Sequence, residues 1–281
     1  MIKAISYWAM KDGLANTHPI DDAIAQAKAH GFAGLELCIG TEGALSVDTS
    51  KEQCQAIRKQ IDEAGLIVQT VASGMSWGFN PTSNDPAVRE KAIALHAAAL
   101  ERTAWLGCEA MLFVPGVVRS PICPDECVRY DHAVERAAQA VTQLLETADR
   151  VGVDLCLENV WNGLFYSPME FASFVDRFDH PRLGIYFDVG NVLGYQQYPP
   201  HWIELLGDRI KRVHIKGFKD TFGFEGQYAF CGLREGDVPW EASMQALRAI
   251  GYDKTIVAEM MPWNENLLTQ VSADMDAILA G

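Results

Sequence analysis

Along the chain, short runs rich in β-branched and aromatic residues alternate with longer stretches whose apolar positions recur every three or four residues. The runs at 2–8, 34–38, 66–72, 110–114, 153–158, 184–188, 212–216 and 255–259 read as eight strands. Helices between them are marked by their ends. Ser50 with Gln53, and Ser167-Pro168 with Glu170, fit capping boxes, and Asp85-Pro86 sets a cap before a proline that needs no N–H in the first turn. Phe171, Phe174, Val175 and Phe178 fall at i, i+3, i+4 and i+7, one apolar stripe to lay on a sheet. Gly31, Gly65, Gly107, Gly152 and Gly251 each stand shortly before a strand, where a left-handed residue can end the preceding helix.

Eight such units in 281 residues leave about 35 residues for each strand, helix and pair of loops. Near-continuous apolar strands alternating with helices predict a parallel sheet covered on both faces, and eight unbroken units predict closure into an α/β fold of the (β/α)8 TIM barrel type. No linker or low-complexity stretch divides the chain, so residues 1–281 are expected to form one barrel domain. A doubly wound open sheet is disfavoured, because Ser6-Tyr-Trp-Ala-Met10 follows the first strand where a glycine-rich dinucleotide loop would stand.

Composition narrows the partners. Hydrophobic residues make up 49% and charged ones 21%, and 23 Lys and Arg against 37 Asp and Glu give a net charge of −14 without a basic block. Phosphate backbones need clustered cations, so nucleic acid is excluded as a partner. No apolar run approaches the roughly 18 to 20 residues that cross a bilayer, and the first residues lack the pattern of a signal peptide. The expectation is therefore a cytoplasmic protein without membrane attachment. Seven dispersed cysteines suit reduced thiols. Cys123 and Cys127, with His132 behind them, read as a loop and helix start in preference to a zinc site, since no fourth ligand is in view.

In a barrel of this kind the chemistry lies at the C-terminal strand ends. The fifth strand ends Leu155-Cys-Leu-Glu158-Asn159, the sixth ends Ile185-Tyr-Phe-Asp188, the seventh runs Val213-His214-Ile215-Lys216 and the eighth ends Val257-Ala-Glu259. The second contributes Glu36. Taken singly, each has a structural role available: Glu158 in an ion pair, Asp188 as a cap, His214 as a hydrogen-bonded core residue, Glu259 as a surface charge. Brought to one rim, three carboxylates and an imidazole would be costly to desolvate unless a cation neutralised them. Hard oxygen donors with one imidazole favour Mn²⁺, Mg²⁺ or Co²⁺ over Zn²⁺.

The segments Leu157-Glu-Asn-Val-Trp-Asn162, Tyr186-Phe-Asp-Val-Gly-Asn191, Val213-His-Ile-Lys-Gly217, Gly236-Asp-Val-Pro-Trp240 and Ala258-Glu259 resemble the xylose-isomerase-like barrel superfamily, in its sugar phosphate isomerase/epimerase branch. The resemblance runs over essentially the whole chain and is most specific in the Glu, Asp, His, Glu order. It implies one divalent ion held by Glu158, Asp188, His214 and Glu259, with Glu158 and Glu259 also acting as catalytic acid and base. The activities it implies are ketose and ketose-phosphate 3-epimerisation. Against that pattern, Asn191 stands where endonuclease IV-type relatives have a further zinc-binding histidine. Asp220 and Leu164 stand where free-sugar 3-epimerases have an Arg and a Glu that contact substrate.

Candidate substrate contacts are Trp8, Glu36, Trp161, Asn191 and Lys216. Indole faces stack on sugar C–H surfaces, although tryptophans also fill barrel mouths for packing alone. Lys216, like Lys219 and Arg234, offers a cation for a phosphate or carboxylate. The leading expectation is a metal-dependent isomerase or epimerase acting on a small sugar or sugar phosphate. The alternative is a metal-dependent lyase or dehydratase on a keto-sugar or inosose, sharing the enediolate but expelling a β-substituent. A barrel that binds sugar without turnover is disfavoured, since recognition alone has no use for two glutamates on a metal. Homo-oligomerisation is left open by the sequence.

Overall fold

The computed structural model describes residues 1–120, 122, 123, 125–221 and 227–281. The chain runs β1 (Ile2–Ser6), α1 (Ile20–Ala29), β2 (Gly34–Ile39), α2 (Lys51–Ala64), β3 (Thr70–Ser73), α3 (Pro86–Trp105), β4 (Ala110–Phe113), α4 (Tyr130–Val151), β5 (Asp154–Glu158) and α5 (Pro168–Asp176). It continues through β6 (Leu183–Asp188), α6 (Val189–Leu193), α7 (Pro199–Leu206), β7 (Ile210–Ile215), β8 (Gly217–Thr221), β9 (Gln227–Cys231), α8 (Trp240–Ala249), β10 (Thr255–Ala258) and α9 (Leu267–Ala280).

Eight strands close in the order β1-β10-β7-β6-β5-β4-β3-β2. Every barrel pair is parallel, and the seam is made by β1 on β10, with Ile2 opposite Thr255 and Ile5 opposite Ala258. The expected TIM barrel is thus the fold, and the open sheet is ruled out by that last pairing. β2 and β6 are buried along their whole length, which is why their sequences read as runs and not as alternations. Helices meet the sheet through small residues: α4 buries Ala133, Ala137, Ala140 and Ala148 beside Val141 and Leu144. Its outer face carries the charges. None of the described helices is long and apolar enough to cross a membrane.

The end signals hold in detail. Ser50 and Gln53 form a reciprocal capping box, and Asp85 accepts from the Ala87 N–H. All five glycines adopt positive φ, from +68° at Gly107 to +78° at Gly251. At Gly65 this lets the chain leave α2 with its N–H still bonded to Ile61 and Asp62, a turn that a side chain would strain. Phe171, Phe174 and Val175 are buried on the expected stripe, with Phe178 packed at its edge.

Other details differ from expectation. The first strand stops at Ser6 because Ser6 Oγ accepts from the Trp8 N–H and starts a 3-10 turn, Tyr7–Ala9. The third starts at Thr70, residue 67 making only an isolated bridge to Gly34. At Ser167 only half of the capping box forms, since the Glu170 carboxylate is taken by the Tyr166 N–H and the Tyr130 hydroxyl. The antiparallel hairpin of β8 and β9, inserted after β7, has no counterpart in the sequence reading. All seven cysteines are free thiols, four of them buried.

His96 on α3 gives the fold a pH response away from the barrel mouth. Its ring is wholly buried edge-on to Phe113, with Nδ1 2.8 Å from the Ala92 carbonyl and Nε2 3.3 Å from Ser73 Oγ. Burial holds the imidazole down at about 4. The unfolded chain takes up this proton below about 6.5 while the folded chain does not, so the contribution is intact above that pH and is lost as pH falls toward 4. The loss should approach roughly 3 kcal/mol. Urea unfolding at intervals from pH 7.5 to 4 should show a steeper decline in the parent protein than in His96→Gln; parallel declines would place the response elsewhere.

Candidate metal centre and active site

Parallel register brings the four strand-end residues together. Asp188 lies opposite His214 in the β6–β7 pair, His214 lies opposite Val257 in the β7–β10 pair, and Glu158 lies opposite Tyr186 in the β5–β6 pair. Glu259 follows β10 directly, its N–H bonded to the Ile215 carbonyl at 3.0 Å. All four side chains are buried. One ligand atom from each lies within 4.8 Å of the others, and among the described residues this is the sole group of three or more His, Cys, Asp or Glu side chains so placed. Cys123, Cys127 and His132 are not part of it.

The polar atoms of the cluster are incompletely paired. Asp188 Oδ2, His214 Nδ1 and Glu259 Oε2 are buried without an aligned hydrogen bond. Their contacts are ion pairs shared with one lysine and one imidazole, too few cations for three carboxylates, so the convergence of these atoms on one point fits a cation-binding role. Three carboxylate oxygens and one imidazole nitrogen are a fitting donor set for a divalent ion. Such an ion would supply Lewis-acid stabilisation of negative charge on a substrate oxygen.

The rest of the barrel interior orients these groups. His214 Nε2 faces Glu36 Oε1 at 2.8 Å, which leaves Nδ1 as the atom turned to the cluster, 3.3 Å from Glu259 Oε2. Glu36 Oε2 accepts from Thr70 Oγ1 at 2.8 Å and from the Tyr186 hydroxyl. Asp188 is fixed through its Oδ1, which accepts from the Asn191 N–H, and Asn159 bonds both backbone groups of Asp188.

Lys216 is the cation within the site. Its Nζ lies 2.6 Å from Glu259 Oε2 and 3.0 Å from Asp188 Oδ2. A Cβ at residue 190 would stand 2.5 Å from Lys216 Cγ, so Gly190 provides the slot in which the lysine stem runs. Burial raises the carboxyls of Glu158 and Asp188, with the Glu259 charge adding to it at Glu158. Glu259 is buried too, yet Lys216 and His214 outweigh that and hold it below the usual range. The two glutamates therefore differ in how strongly each holds a proton.

Above this floor opens a cavity of about 630 Å³, reached from the C-terminal rim. Trp8, Trp161, Asn191 and Lys216 line it, together with Glu158 and Glu259. Trp161 is fixed by its Nε1 donating to the Asn191 carbonyl at 2.9 Å and by stacking on Phe230 at 5.3 Å. Asn191 Nδ2 reaches the Asn159 carbonyl at 3.0 Å. Glu36 departs from the sequence expectation: it is sealed beneath the cluster with its oxygens engaged, so it orients His214 and does not reach a substrate. Lys219 and Arg234 do not line the cavity.

The family model described as xylose isomerase-like TIM barrel matches residues 24–276. The chain belongs to that family. Within it, the chain is similar to the L-ribulose-5-phosphate 3-epimerase UlaE of Escherichia coli O1:K1 / APEC, at 25% identity over 85% of this chain and 80% of the relative. Solved structures with the same barrel include D-psicose 3-epimerase, crystallised in the presence of D-fructose, with a TM-score of 0.79, 18% identity and complete coverage of both chains. L-Ribulose 3-epimerase superposes with a TM-score of 0.77 at 20% identity, covering 100% of this chain and 95% of its own. For this xylose isomerase-like barrel those likenesses show the fold.

Sequence reading missed Tyr186 and Thr70 as supports of Glu36. Tyr186 had a signal, because residues two apart on a strand share a face and Tyr186 precedes Asp188 by two. The pairing of Glu36 with His214 had none.

Oriented histidine ligands lose about 10- to 100-fold in metal affinity when their carboxylate partner is removed. Glu36→Gln should therefore weaken Mn²⁺ binding by that factor, measured calorimetrically on protein whose circular dichroism is unchanged. Undiminished affinity would show that His214 needs no such anchor.

Proposed function

We propose that the chain is a metal-dependent sugar epimerase that inverts the carbon next to a ketone, most simply by ketose 3-epimerisation. The observation that carries this reading is the buried group of Glu158, Asp188, His214 and Glu259 at the floor of the cavity. The names of its relatives, ketose and ketose-phosphate 3-epimerases, support it. On this reading Mn²⁺, Mg²⁺ or Co²⁺ is the ion, held by those four side chains, and the enzyme works in the cytoplasm.

A proton beside a ketone is weakly acidic, and its removal leaves an enediolate that must be stabilised at once. Glu158 and Glu259 stand on β5 and just after β10, at either end of the arc of strands that carries the cluster. Either carboxylate could move a proton through an oxygen not engaged in holding such an ion. One glutamate takes the proton from one face of the carbon and becomes a carboxylic acid, while the other, entering the step as the acid, delivers its own proton to the opposite face and becomes the carboxylate. Asp188 and His214 would complete the ligand set. Between turnovers both glutamates open onto the cavity, where their protons exchange with water.

Exhaustive chelation should abolish turnover, and one equivalent of Mn²⁺ or Co²⁺ per chain should restore it; activity in demonstrably metal-free protein would refute metal dependence. Glu158→Gln and Glu259→Gln should each lose about 10²- to 10⁴-fold in kcat with metal still bound. Incubating ketoses in D₂O and locating deuterium reads the reaction directly. Label at C3 of both epimers is expected, whereas loss of water from the substrate would assign the dehydratase reading instead.

A further inference from the structure

We infer that the substrate is not a phosphate ester but an uncharged keto-sugar whose end remote from the reacting carbon carries an apolar substituent about the size of a ring. This rests on the reading of the cluster as an active site and concerns what fills the remainder of the cavity.

The cavity is divided in chemistry. Its floor holds Glu158, Asn191, Lys216 and Glu259, while its walls are built by Trp8, Trp77, Ile122, Trp161, Phe230 and Met261. Hydroxyl groups of a sugar find partners at the floor and few above it. At about 630 Å³ the space is in the range that holds drug-sized ligands. A neighbouring depression of about 310 Å³ shares Trp8, Leu14 and Gly74 with it. Gly74 lies between two indoles, 3.5 Å from Trp8 and 3.8 Å from Trp77 at its would-be Cβ, and so keeps the gap between the rings clear.

A phosphate would meet no free cation here. Among the described residues that line the two spaces, Lys216 is the one cationic side chain, and it is committed to Asp188 and Glu259. The undescribed residues, Pro121, Pro124 and 222–226, include no Lys, Arg or His. At the start of α6 the Asn191 N–H is already bonded to Asp188 Oδ1. Even with a divalent ion in place, three carboxylates and one lysine leave no positive excess for a dianion. The net charge of −14 adds a repulsive field.

The mouth has the opposite preference. Leu14, Ile122 and Phe230 are 61%, 65% and 42% exposed, and all three line this cavity. Large apolar side chains held open to water around one opening mark a surface that an apolar group covers. Phe230 is carried there by the β8–β9 hairpin and stacks on Trp161 with ring centroids 5.3 Å apart.

One ketopentose, L-ribulose, supplies the test in three forms: free, as the 5-phosphate and as the 5-O-benzyl ether, each titrated calorimetrically into the Mn²⁺-loaded protein. The benzyl ether should bind at least about tenfold tighter than the free sugar. The phosphate should bind no tighter than the free sugar, and its affinity should fall as salt is lowered. Trp77→Ala should shrink the benzyl advantage at least about threefold, and Ile122→Ala, at an exposed position, gives the same readout if the tryptophan variant does not fold. A phosphate that binds tighter than the free sugar, or a benzyl ether that binds no tighter, overturns the inference. If the benzyl preference holds while no form exchanges a proton in D₂O, the substrate inference stands and the epimerase reading falls.

Discussion

Three carboxyl groups buried at one barrel mouth set the terms for everything around them. An isolated charge moved out of water costs several kcal/mol even after the protein relaxes, and here Glu158, Asp188 and Glu259 share the region with one lysine and one imidazole. The surroundings read as answers to that load. Lys216 lies across two of the acids, Gly190 gives up its side chain to let the lysine pass, and Asn159 and Asn191 hold Asp188 in place. One lysine shared between two acids, with Glu158 and His214 converging on the same point, leaves negative charge that a further cation would balance.

The depth of the site is as telling as its rim. Below the cluster, Glu36 receives His214, Thr70 and Tyr186, drawn from β7, β3 and β6 onto a residue of β2. That linkage crosses the barrel, so the imidazole orientation is set by the closed sheet and not by a loop. A barrel interior filled by side chains is rigid, and rigidity beneath a reactive centre preserves geometry at the scale on which proton transfer depends.

Much of this was legible in the sequence because it depends on local rules. Helix ends at Ser50, Asp85, Gly65 and Gly152 follow from capping chemistry within a few residues, and the acids on β5, β6 and after β10 stand out because strand ends in a parallel barrel share one rim. What escaped depends on packing between distant segments. Glu36 and His214 are 178 positions apart, and no periodicity relates them; only closure of the barrel turns Glu36 inward onto the ring. The β8–β9 hairpin escaped because Gly217 follows the seventh strand almost at once, so the two strands merged into a single apolar reading with a loop behind it. The half-formed cap at Ser167 failed for a similar reason, Tyr130 reaching in from α4 to take the glutamate.

The two ends of the barrel handle charge in contrasting ways, and the contrast separates stability from function. At the N-terminal ends of the strands acids and bases meet pairwise: Arg212 with Glu109 at 2.7 Å, and Lys211 with Asp154 at 3.0 Å, with Arg182 beside the same aspartate. Each anion there has its cation, and the arrangement asks for nothing further. At the C-terminal ends the count is unbalanced, with three acids to one lysine, and the ligand atoms of the three acids and His214 converge within 4.8 Å of one another. Folding alone would favour pairing or replacing those acids. Their retention beneath an apolar-walled cavity is the physical mark of a site whose missing partners are supplied from outside, an ion at the floor and a substrate above it.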